Sequence, residues 1–492
     1  MRTTGMVTVA VVALLLAAAA PQALAEAPAP GAEGPPRGRL VEGIACASDP
    51  SQSYTLYLPE AYDPGRRWPV LVVLDPRGRS VPAAELFLDP ARELGWIIVS
   101  SNDTRSDSGM EPNRRALNAL WPEIHERYAI DDRRIHLAGF SGTVYVAFEV
   151  GRTTGSVAGI IGSGGRCIEE ALAGNRAAVF VTAGDGDFNY QDTRRLHARV
   201  REAGVASRLE TFSGGHTWMP PSLARQALEW MELQGMRRGV RPRDDAMVDR
   251  LLAADLAAAA ALEADGQKLA AMRRYQAAAL DFEGLRDVAA AHARWLSLEA
   301  DPEVERAASL EERWAERERQ ERERINQVFA RFLAAEPAAP PETLANDLEV
   351  ARLEHQAEGD GLEAATARRV LAHLFSNVAV YMPQGLIADR RPGHAASALG
   401  VACRIQPDNP SVWYNRSCAL SLAGRRSQAL DALEHAVQLG FADAALMRAD
   451  PDLEAVRDSD RFRELLAAIG GTLGGAGGAA GVGASRSGKP EE

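Results

Sequence analysis

The sequence predicts an α/β protein: a doubly wound, mostly parallel sheet in the first half, followed by an all-α helical-repeat region. Three observations support this fold class. From about residue 39 to residue 239, short aliphatic runs alternate with amphipathic runs of helical period. One run, residues 70–74, is aliphatic at every position, as a parallel strand covered on both faces requires. After residue 239 the strand-like runs stop, and Ala, Leu, Glu and Arg dominate long periodic stretches.

The elements of the first half follow in order along the chain. Strands are expected at residues 53–58, 68–74, 96–101, 134–138, 157–162, 177–182 and 207–212. Helices are expected at residues 83–94, 114–128, 142–151, 192–203 and 222–234. In such a sheet, ligand crevices form outside the carboxyl ends of the strands. Functional side chains should therefore follow strand ends.

The amino terminus has the pattern of a targeting segment. Arg2 gives a positive start, residues 7–20 are apolar, and residues 23–25 read Ala-Leu-Ala, which fits a small-x-small cleavage site. We therefore expect a signal peptide over residues 1–25, with the protein periplasmic or secreted. An uncleaved anchor is the alternative. The apolar run is shorter than the roughly 20 residues of a comfortable span, so no membrane span is expected after signal removal.

Charge and length exclude some classes of protein. The net charge is −12, and no stripe of Lys and Arg is present to neutralise phosphates. Nucleic acid is therefore not an expected partner. At 492 residues the chain is too long for one core, and two to four domains are expected.

The four cysteines have no Cys-x-x-Cys spacing, which removes the usual redox and zinc motifs. An oxidising compartment permits disulfides. Cys46–Cys167 and Cys403–Cys418 are the candidate pairs, and buried free thiols are the alternative.

The second half divides by composition. Residues 240–360 are expected to be helical and to include a long, charged, exposed helix at 303–332. Residues 26–38 and 470–492 are rich in small residues and are expected to be a flexible leader and a disordered Gly-rich tail.

Residues 361–469 contain a pattern that recurs after 34 residues. Ala395, Leu399 and Ala402 recur as Ala429, Leu433 and Ala436. This spacing resembles tetratricopeptide repeats, in which small alanines let paired helices pack closely. The resemblance implies that the region either binds a protein partner in a concave face or packs against the first half of the chain.

One stretch of the first half has the pattern of a sharp strand-to-helix turn. Gly139-Phe140-Ser141-Gly142 follows an aliphatic run and precedes an apolar helix. Glycines beside a serine allow a turn tight enough to expose the hydroxyl above a sheet. Such a serine needs a base to remove its proton and an acid to orient the base. Asp185 and Asp187 follow the strand expected at 177–182, and His216 follows the last strand.

Four segments together resemble the α/β-hydrolase superfamily, particularly its secreted esterase and polyhydroxybutyrate-depolymerase-like branch. They are Tyr-Thr-Leu-Tyr-Leu-Pro at 54–59, Ile-Asp-Asp-Arg-Arg-Ile at 130–135, Gly-Phe-Ser-Gly at 139–142 and Gly-Gly-His-Thr-Trp at 214–218. The resemblance covers residues from about 43 to 239, under half of the chain, within a domain expected at residues 39–239. It implies that Ser141 is the nucleophile and His216 the general base. It favours Asp187 over Asp185 as the residue that holds His216.

The resemblance also implies an oxyanion hole of two backbone N–H groups. Gly142, which follows the nucleophile, should supply one. The loop after the strand at 68–74 should supply the other, and Pro76 has no N–H to give. Arg77 is therefore the expected donor, with Gly78 next.

Two positions depart from the family pattern. Thr143 stands where a glycine is usual, and a β-branched residue there is expected to strain or shift the turn. Asp75-Pro76 replaces the usual His-Gly. The leading interpretation is an exported serine hydrolase that cleaves small or polymeric carboxylic esters. These departures favour the rival, an inert periplasmic scaffold whose repeats bind a protein. A peptidase or thioesterase with the same triad is a third possibility.

No metal or cofactor is expected. Asp185-x-Asp187-x-Asn189 begins like a calcium loop, but Tyr190 and Leu196 stand where that loop needs Gly and Glu. Residues 162–165 lack the spacing of a dinucleotide loop and are interpreted as a plain loop. Trp218, beside His216, is either the wall of an acyl pocket or a core aromatic residue.

Overall fold

The computed structural model describes residues 35–106, 109–166 and 169–472. The predicted signal peptide, most of the leader, nearly all of the Gly-rich tail and Cys167 lie outside these ranges. Contacts divide the chain into two compact units, one through Glu305 and one from Arg306. The sequence placed its boundaries at residues 239 and 360 instead.

The first unit is built on one eight-stranded sheet. Its strands are β1 Leu40–Ala45, β2 Ser53–Tyr57, β3 Trp68–Leu74, β4 Ile97–Ser101, β5 Ile130–Phe140, β6 Val157–Ser163, β7 Ala178–Gly184 and β8 Ser207–Phe212. Their order in space is β1-β2-β4-β3-β5-β6-β7-β8. The pairs β1·β2 and β2·β4 are antiparallel and the other five pairs are parallel.

All seven expected strands are present, and the sequence missed only the edge strand β1. This strand is half-exposed, and its pairing register with β2 shifts between Val41 and Ile44. Its Gly43 has a φ of 64°, which interrupts the alternation that identifies a strand. An irregular, half-exposed edge leaves little pattern in a sequence.

Helices cover both faces of the sheet. They are α1 Ser80–Leu94, α2 Glu111–Arg127, α3 Gly142–Thr154, α4 Glu169–Leu172, α5 Tyr190–Glu202 and α6 Pro221–Arg237. One hydrophobic core joins the sheet to α2, α3 and α5, and the other joins it to α1 and α6. The fold class predicted from the sequence, a doubly wound, mostly parallel sheet followed by a helical region, is confirmed.

Three further helices belong to the first unit. They are α7 Asp245–Ala264, α8 Lys268–Phe282 and α9 Ala289–Glu299. Met247 and Val248 of α7 and Phe282 of α8 are buried in the same core as α1 and α6. Arg208 of β8 also reaches this region, since its guanidinium bonds carboxylates of both α7 and α8. The sheet, α7 and α8 therefore share one core, and Ala291 of α9 packs with α8 in a smaller cluster.

The second unit contains only helices among its described residues. They are α10 Pro302–Ala334, which begins at the end of the first unit, α11 Pro341–Asp347, α12 Val350–Ala357, α13 Gly361–Ser376, α14 Met382–Ala388, α15 Pro392–Ile405, α16 Pro410–Leu422, α17 Arg426–Gln438, α18 Ala444–Ala449, α19 Glu454–Arg457 and α20 Asp460–Thr472. Short helical turns at Asn377–Tyr381 and Pro451–Leu453 complete the set. The expected long charged helix at 303–332 corresponds to α10.

The residues that recur after 34 positions occupy equivalent places in two helices. Ala395, Leu399 and Ala402 are buried in α15, and their counterparts Ala429, Leu433 and Ala436 are buried in α17. The helical character of this region is confirmed. Its assignment to the tetratricopeptide family stays a prediction.

One helical stretch of the second unit, Gly361–Ala388, is long and apolar enough to cross a membrane by length and composition, with a mean hydropathy of 1.2. Val370, Leu374 and Leu386 from this stretch are nevertheless buried in the core of the unit. Arg369 forms a buried ion pair with Glu318 of α10, at 2.8 Å. About a third of the most apolar window of this stretch is buried.

The cysteines within the described residues are buried free thiols. Cys403 on α15 and Cys418 on α16 do not form the disulfide that was one expectation. Burial raises the pKa of the Cys403 thiol to about 11, which keeps it protonated and unreactive. Cys46 is also buried as a free thiol, and its candidate partner, Cys167, lies outside the described residues.

Candidate active site

The turn between β5 and α3 has the geometry that exposes a serine. Ser141 has φ 55° and ψ −126°, a conformation that non-glycine residues rarely adopt and that costs about 1–3 kcal/mol. A Cβ on Gly139 would lie 2.7 Å from the carbonyl oxygen of Thr143, and one on Gly142 would lie 2.7 Å from the Cβ of Ser106. Both flanking positions therefore require glycine.

Thr143 supports this turn. It is fully buried, and its Oγ1 accepts a hydrogen bond from the N–H of Phe140 at 3.0 Å. The same hydroxyl lies within donating distance of the carbonyl oxygens of Phe140 and of Leu74, the last residue of β3. The side chain thus joins the turn to the neighbouring strand. The expected strain from a β-branched residue is offset by these hydrogen bonds.

The structure brings Ser141, His216 and Asp187 into one hydrogen-bonded chain. Ser141 Oγ lies 2.9 Å from His216 Nε2, and His216 Nδ1 lies 2.9 Å from Asp187 Oδ1. A carboxylate only accepts, so Nδ1 is the donor to Asp187. Nε2 is then the acceptor for the Ser141 hydroxyl proton. This is the tautomer that a general base beside a serine requires.

Asp187 is fixed by its own turn after β7. Its N–H donates to the carbonyl of Gly184 at 3.0 Å, and its Oδ1 accepts from the N–H of Asn189 at 2.7 Å. The other acidic candidate, Asp185, is exposed and accepts instead from the N–H of Gly214 at 3.0 Å. Of the two carboxylates that the sequence left open, Asp187 is the one that contacts His216.

The His216 ring lies between two aromatic side chains. Its centroid is 4.2 Å from that of Phe188 and 4.7 Å from that of Phe140. The side chain is 20% exposed. The rings restrict both the orientation of the imidazole and the access of water to its faces. Sequence reasoning missed both phenylalanines, although each directly follows or precedes a predicted site residue.

The loop after β6, interpreted from sequence as a plain loop, supports the same chain of residues. Gly164 has φ 54°, and a Cβ there would lie 2.4 Å from Asp187 Oδ2 and 3.2 Å from His216 Nδ1. The carbonyl of Gly164 accepts from Asn189 Nδ2 at 2.8 Å. The backbone of this loop therefore forms one wall of the Asp187 site.

A Gly164→Ala change should lower kcat by about 100-fold, because displacing catalytic groups by about 1 Å has that effect. Gly155→Ala is the matched control, since Gly155 has φ 63° with no atom within 4 Å of the added Cβ. Gly155→Ala should lose about 1–2 kcal/mol of stability from the left-handed backbone, and Gly164→Ala should lose at least as much. Kinetics and urea denaturation measure the two effects separately. Equal activity in both variants would contradict the proposed contact.

The prediction for the oxyanion hole needs a correction. The N–H of Gly142 is at the first position of α3, where a helical N–H has no intrahelical acceptor. The N–H of Arg77, however, donates to Asp75 Oδ1 at 2.9 Å, and the N–H of Gly78 donates to the carbonyl of Asp75 at 3.1 Å. Both expected donors in this loop are engaged by Asp75, so neither is directed at an oxyanion in this geometry.

Asp185, Asp187 and Asn189 do not form a common ligand set, since Asp187 contacts His216 and Asp185 accepts from Gly214. Among the described residues, no group of three or more His, Cys, Asp and Glu side chains is arranged to hold a metal ion.

No protein-family model matches the sequence, and no curated protein matches it. Among solved structures, a ferulic acid esterase is 19% identical, with 39% of this chain and 95% of that chain covered and a TM-score of 0.33. The fluorophosphonate-binding serine hydrolase F of Staphylococcus aureus is 15% identical, with 40% and 99% covered and a TM-score of 0.34. A thermostable esterase is 18% identical, and the chain spans 61% of its length, with 38% of this chain covered and a TM-score of 0.33.

Proposed function

We propose that the protein is an exported serine hydrolase that cleaves carboxylic esters through Ser141, His216 and Asp187. One observation carries the proposal: the two hydrogen bonds of 2.9 Å that join the three side chains, with the serine on a strained turn. A backbone that holds Ser141 at φ 55° has a stability cost, and such costs concentrate at functional sites.

Acylation begins when Ser141 Oγ attacks the ester carbonyl carbon and its proton passes to His216 Nε2. The carbonyl π electrons move onto oxygen, and the tetrahedral oxyanion that results needs N–H donors. Gly142 supplies one, and α3, 13 residues long, adds the positive end of its dipole. The buried Asp187 carboxylate stabilises the imidazolium that forms. The oxyanion then re-forms the carbonyl as the C–O bond to the alcohol breaks, and His216 donates its proton to the leaving alkoxide oxygen.

Deacylation repeats these steps with water. His216 removes a proton from water, the hydroxide oxygen attacks the acyl carbon, and the bond to Ser141 Oγ breaks as Oγ takes the proton back. The products are a carboxylic acid and an alcohol. No step requires an electron donor or acceptor.

Purified protein should hydrolyse short p-nitrophenyl esters, and Ser141→Ala should lower kcat by about 10⁴- to 10⁶-fold. Ser222→Ala is the matched control, because Ser222 is an exposed serine on α6. Acyl thioesters and p-nitroanilides tested in parallel distinguish ester, thioester and amide cleavage. A folded wild-type protein inactive on all three substrates would contradict the proposal and favour the scaffold interpretation.

Export and partner binding are further parts of the proposal. The Arg2 start, the apolar run at residues 7–20 and the Ala-Leu-Ala at 23–25 support export. The pattern of buried alanines that α15 and α17 share supports closely packed repeat helices, and the concave face of such repeats would bind a protein partner. Sequencing the amino terminus of the protein recovered outside the cytoplasm should give Glu26 as its first residue. An intact Met1 in that fraction would contradict cleavage at this site.

A further inference from the structure

Asp75 directly follows β3 and carries a buried carboxylate that lies outside the Ser141, His216 and Asp187 chain. Its side chain is 1% exposed. Oδ1 accepts from the N–H groups of Arg77, at 2.9 Å, and Arg79, at 3.2 Å. The Arg79 guanidinium also reaches both carboxylate oxygens, at 3.2 and 3.3 Å. These bonds fix the loop between β3 and α1 around one charge.

One further hydrogen bond of Asp75 connects this loop to another part of the chain. Asp75 Oδ2 accepts from the indole Nε1–H of Trp218 at 3.0 Å, across 143 residues of sequence. Trp218 is two residues after His216 in the loop between β8 and α6. The Asp75 carboxylate therefore connects the loop beside the nucleophile to the loop that carries the base.

The Trp218 ring continues this connection to the imidazole. Its centroid lies 5.6 Å from that of Phe140, and the Phe140 ring lies 4.7 Å from the His216 ring. On the other side, Phe87 of α1 meets Trp218 edge-on at 6.0 Å. The orientation of Trp218 thus sets a surface against which Phe140 packs, and Phe140 in turn packs against His216.

The backbone of Asp75 is held as firmly as its side chain. Its carbonyl accepts from Thr104 Oγ1 at 2.9 Å and from the N–H of Gly78 at 3.1 Å. The preceding carbonyl, of Leu74, lies within hydrogen-bonding distance of the Thr143 hydroxyl in the serine turn. We call the hydrogen bond between Asp75 and Trp218 the tether. Because Asp75 is held next to the turn that carries Ser141, the tether fixes Trp218 relative to that turn.

We infer that Asp75 is a positioning residue for His216, acting through the indole of Trp218. This rests on the proposed function of Ser141 and His216. The loop of residues 213–220 has no regular structure. The tether limits its motion relative to Ser141. A shift of about 1 Å between base and nucleophile lowers the rate about 100-fold. The same carboxylate engages the N–H of Arg77, the oxyanion donor that the family resemblance implied.

Two variants remove the tether from opposite ends. Asp75→Asn keeps Oδ1 as an acceptor for the Arg77 and Arg79 N–H groups, but sets an amide NH₂ against the indole N–H. Trp218→Phe keeps an aromatic ring and removes the indole N–H. Each should lower kcat for a p-nitrophenyl ester by about 10- to 100-fold with little change in KM. Each should also slow labelling by a fluorophosphonate, which needs an aligned Ser141 and His216.

The double variant provides the decisive measurement. If one tether acts through both residues, Asp75→Asn with Trp218→Phe should be no slower than the slower single variant, because the amide NH₂ then no longer faces the indole N–H. Asp89→Asn and Trp121→Phe are controls for the loss of an exposed acid and of an indole elsewhere, and both should keep the wild-type kcat. Additive losses in the double variant, or single variants with wild-type kcat, would overturn the inference. An inactive wild-type protein would instead overturn the proposed function.

Discussion

Asp187→Asn should lower kcat/KM for a p-nitrophenyl ester by about 10⁴-fold, with the protein still folded. The amide has the shape of the carboxylate but not the negative charge that stabilises the imidazolium formed when His216 takes the Ser141 proton. This variant tests the role of Asp187 directly, because the Asp187 side chain is fully buried and its Oδ1 lies 2.9 Å from His216 Nδ1. Steady-state kinetics with thermal melts as a folding check would measure it.

Asp185→Asn is the matched control. Asp185 is exposed, and an amide oxygen can still accept from the N–H of Gly214. Its kcat/KM should therefore stay close to the wild-type value. A large loss in Asp185→Asn with little loss in Asp187→Asn would transfer the role to Asp185 and contradict the assignment.

Arg208→Met should lower the free energy of unfolding by about 3–5 kcal/mol, because removing one partner of a buried ion pair leaves uncompensated charge. The buried Arg208 guanidinium bonds Asp255 at 2.8 Å, Asp281 at 3.1 Å and Glu210 at 2.7 Å. Arg274 also belongs to this cluster and bonds Glu210 and Asp255. Urea denaturation measures the loss, and Arg92→Met, at an exposed pair on α1, should remain close to wild type.

The loss should also depend on pH. Burial raises the pKa of Asp281 from its ordinary value of 3.8 to about 6, and Arg208 opposes that rise. A carboxyl whose pKa is higher in the folded state stabilises the fold when protonated. That contribution is complete below about pH 4 and is lost as the pH rises towards 6. Without Arg208 the pKa of Asp281 rises further, so the stability of Arg208→Met should fall more between pH 5 and pH 7 than that of the wild type. The stability deficit of Arg208→Met relative to the wild type should therefore be smaller at pH 5 than at pH 7. A deficit that is equal at both pH values would contradict this account.

Periodicity predicted most of the fold because the first half has strong, regular signals. Residues 70–74 are aliphatic at every position and form most of β3, as expected. The edge strand β1 was missed because its residues are half-exposed and broken by Gly43. The attachment of α7 and α8 to the sheet was missed for another reason. It depends on pairs such as Arg208 with Asp281, and charge pairing across 73 residues leaves no periodic trace.

The residues of the candidate site were predictable where strand ends determine them. Ser141, Asp187 and His216 each follow a parallel strand, and parallel strands bring their carboxyl ends to one edge. The oxyanion donor was not predictable in the same way. Whether the Arg77 N–H faces a substrate depends on the direction of the Asp75 side chain, and a backbone pattern does not contain that information.

The role of Gly164 could not be predicted from the sequence either. Its sequence context, Gly-Ser-Gly-Gly, is that of an ordinary loop, and only the structure reveals the Asp187 carboxylate beside it. A glycine with positive φ is common, as Gly155 illustrates. Only three-dimensional proximity separates the glycine that supports the site from the one that ends a helix.

The most direct test of the account is covalent labelling of the wild-type chain by a fluorophosphonate, followed by tryptic digestion and mass spectrometry. Ser141 is the only serine in the peptide of residues 135–152, so the modified position can be assigned. We expect a single phosphonyl group on that peptide, no labelling in Ser141→Ala and slow labelling in Asp187→Asn. A folded wild-type protein that is never labelled, or one labelled at another serine, would contradict the account.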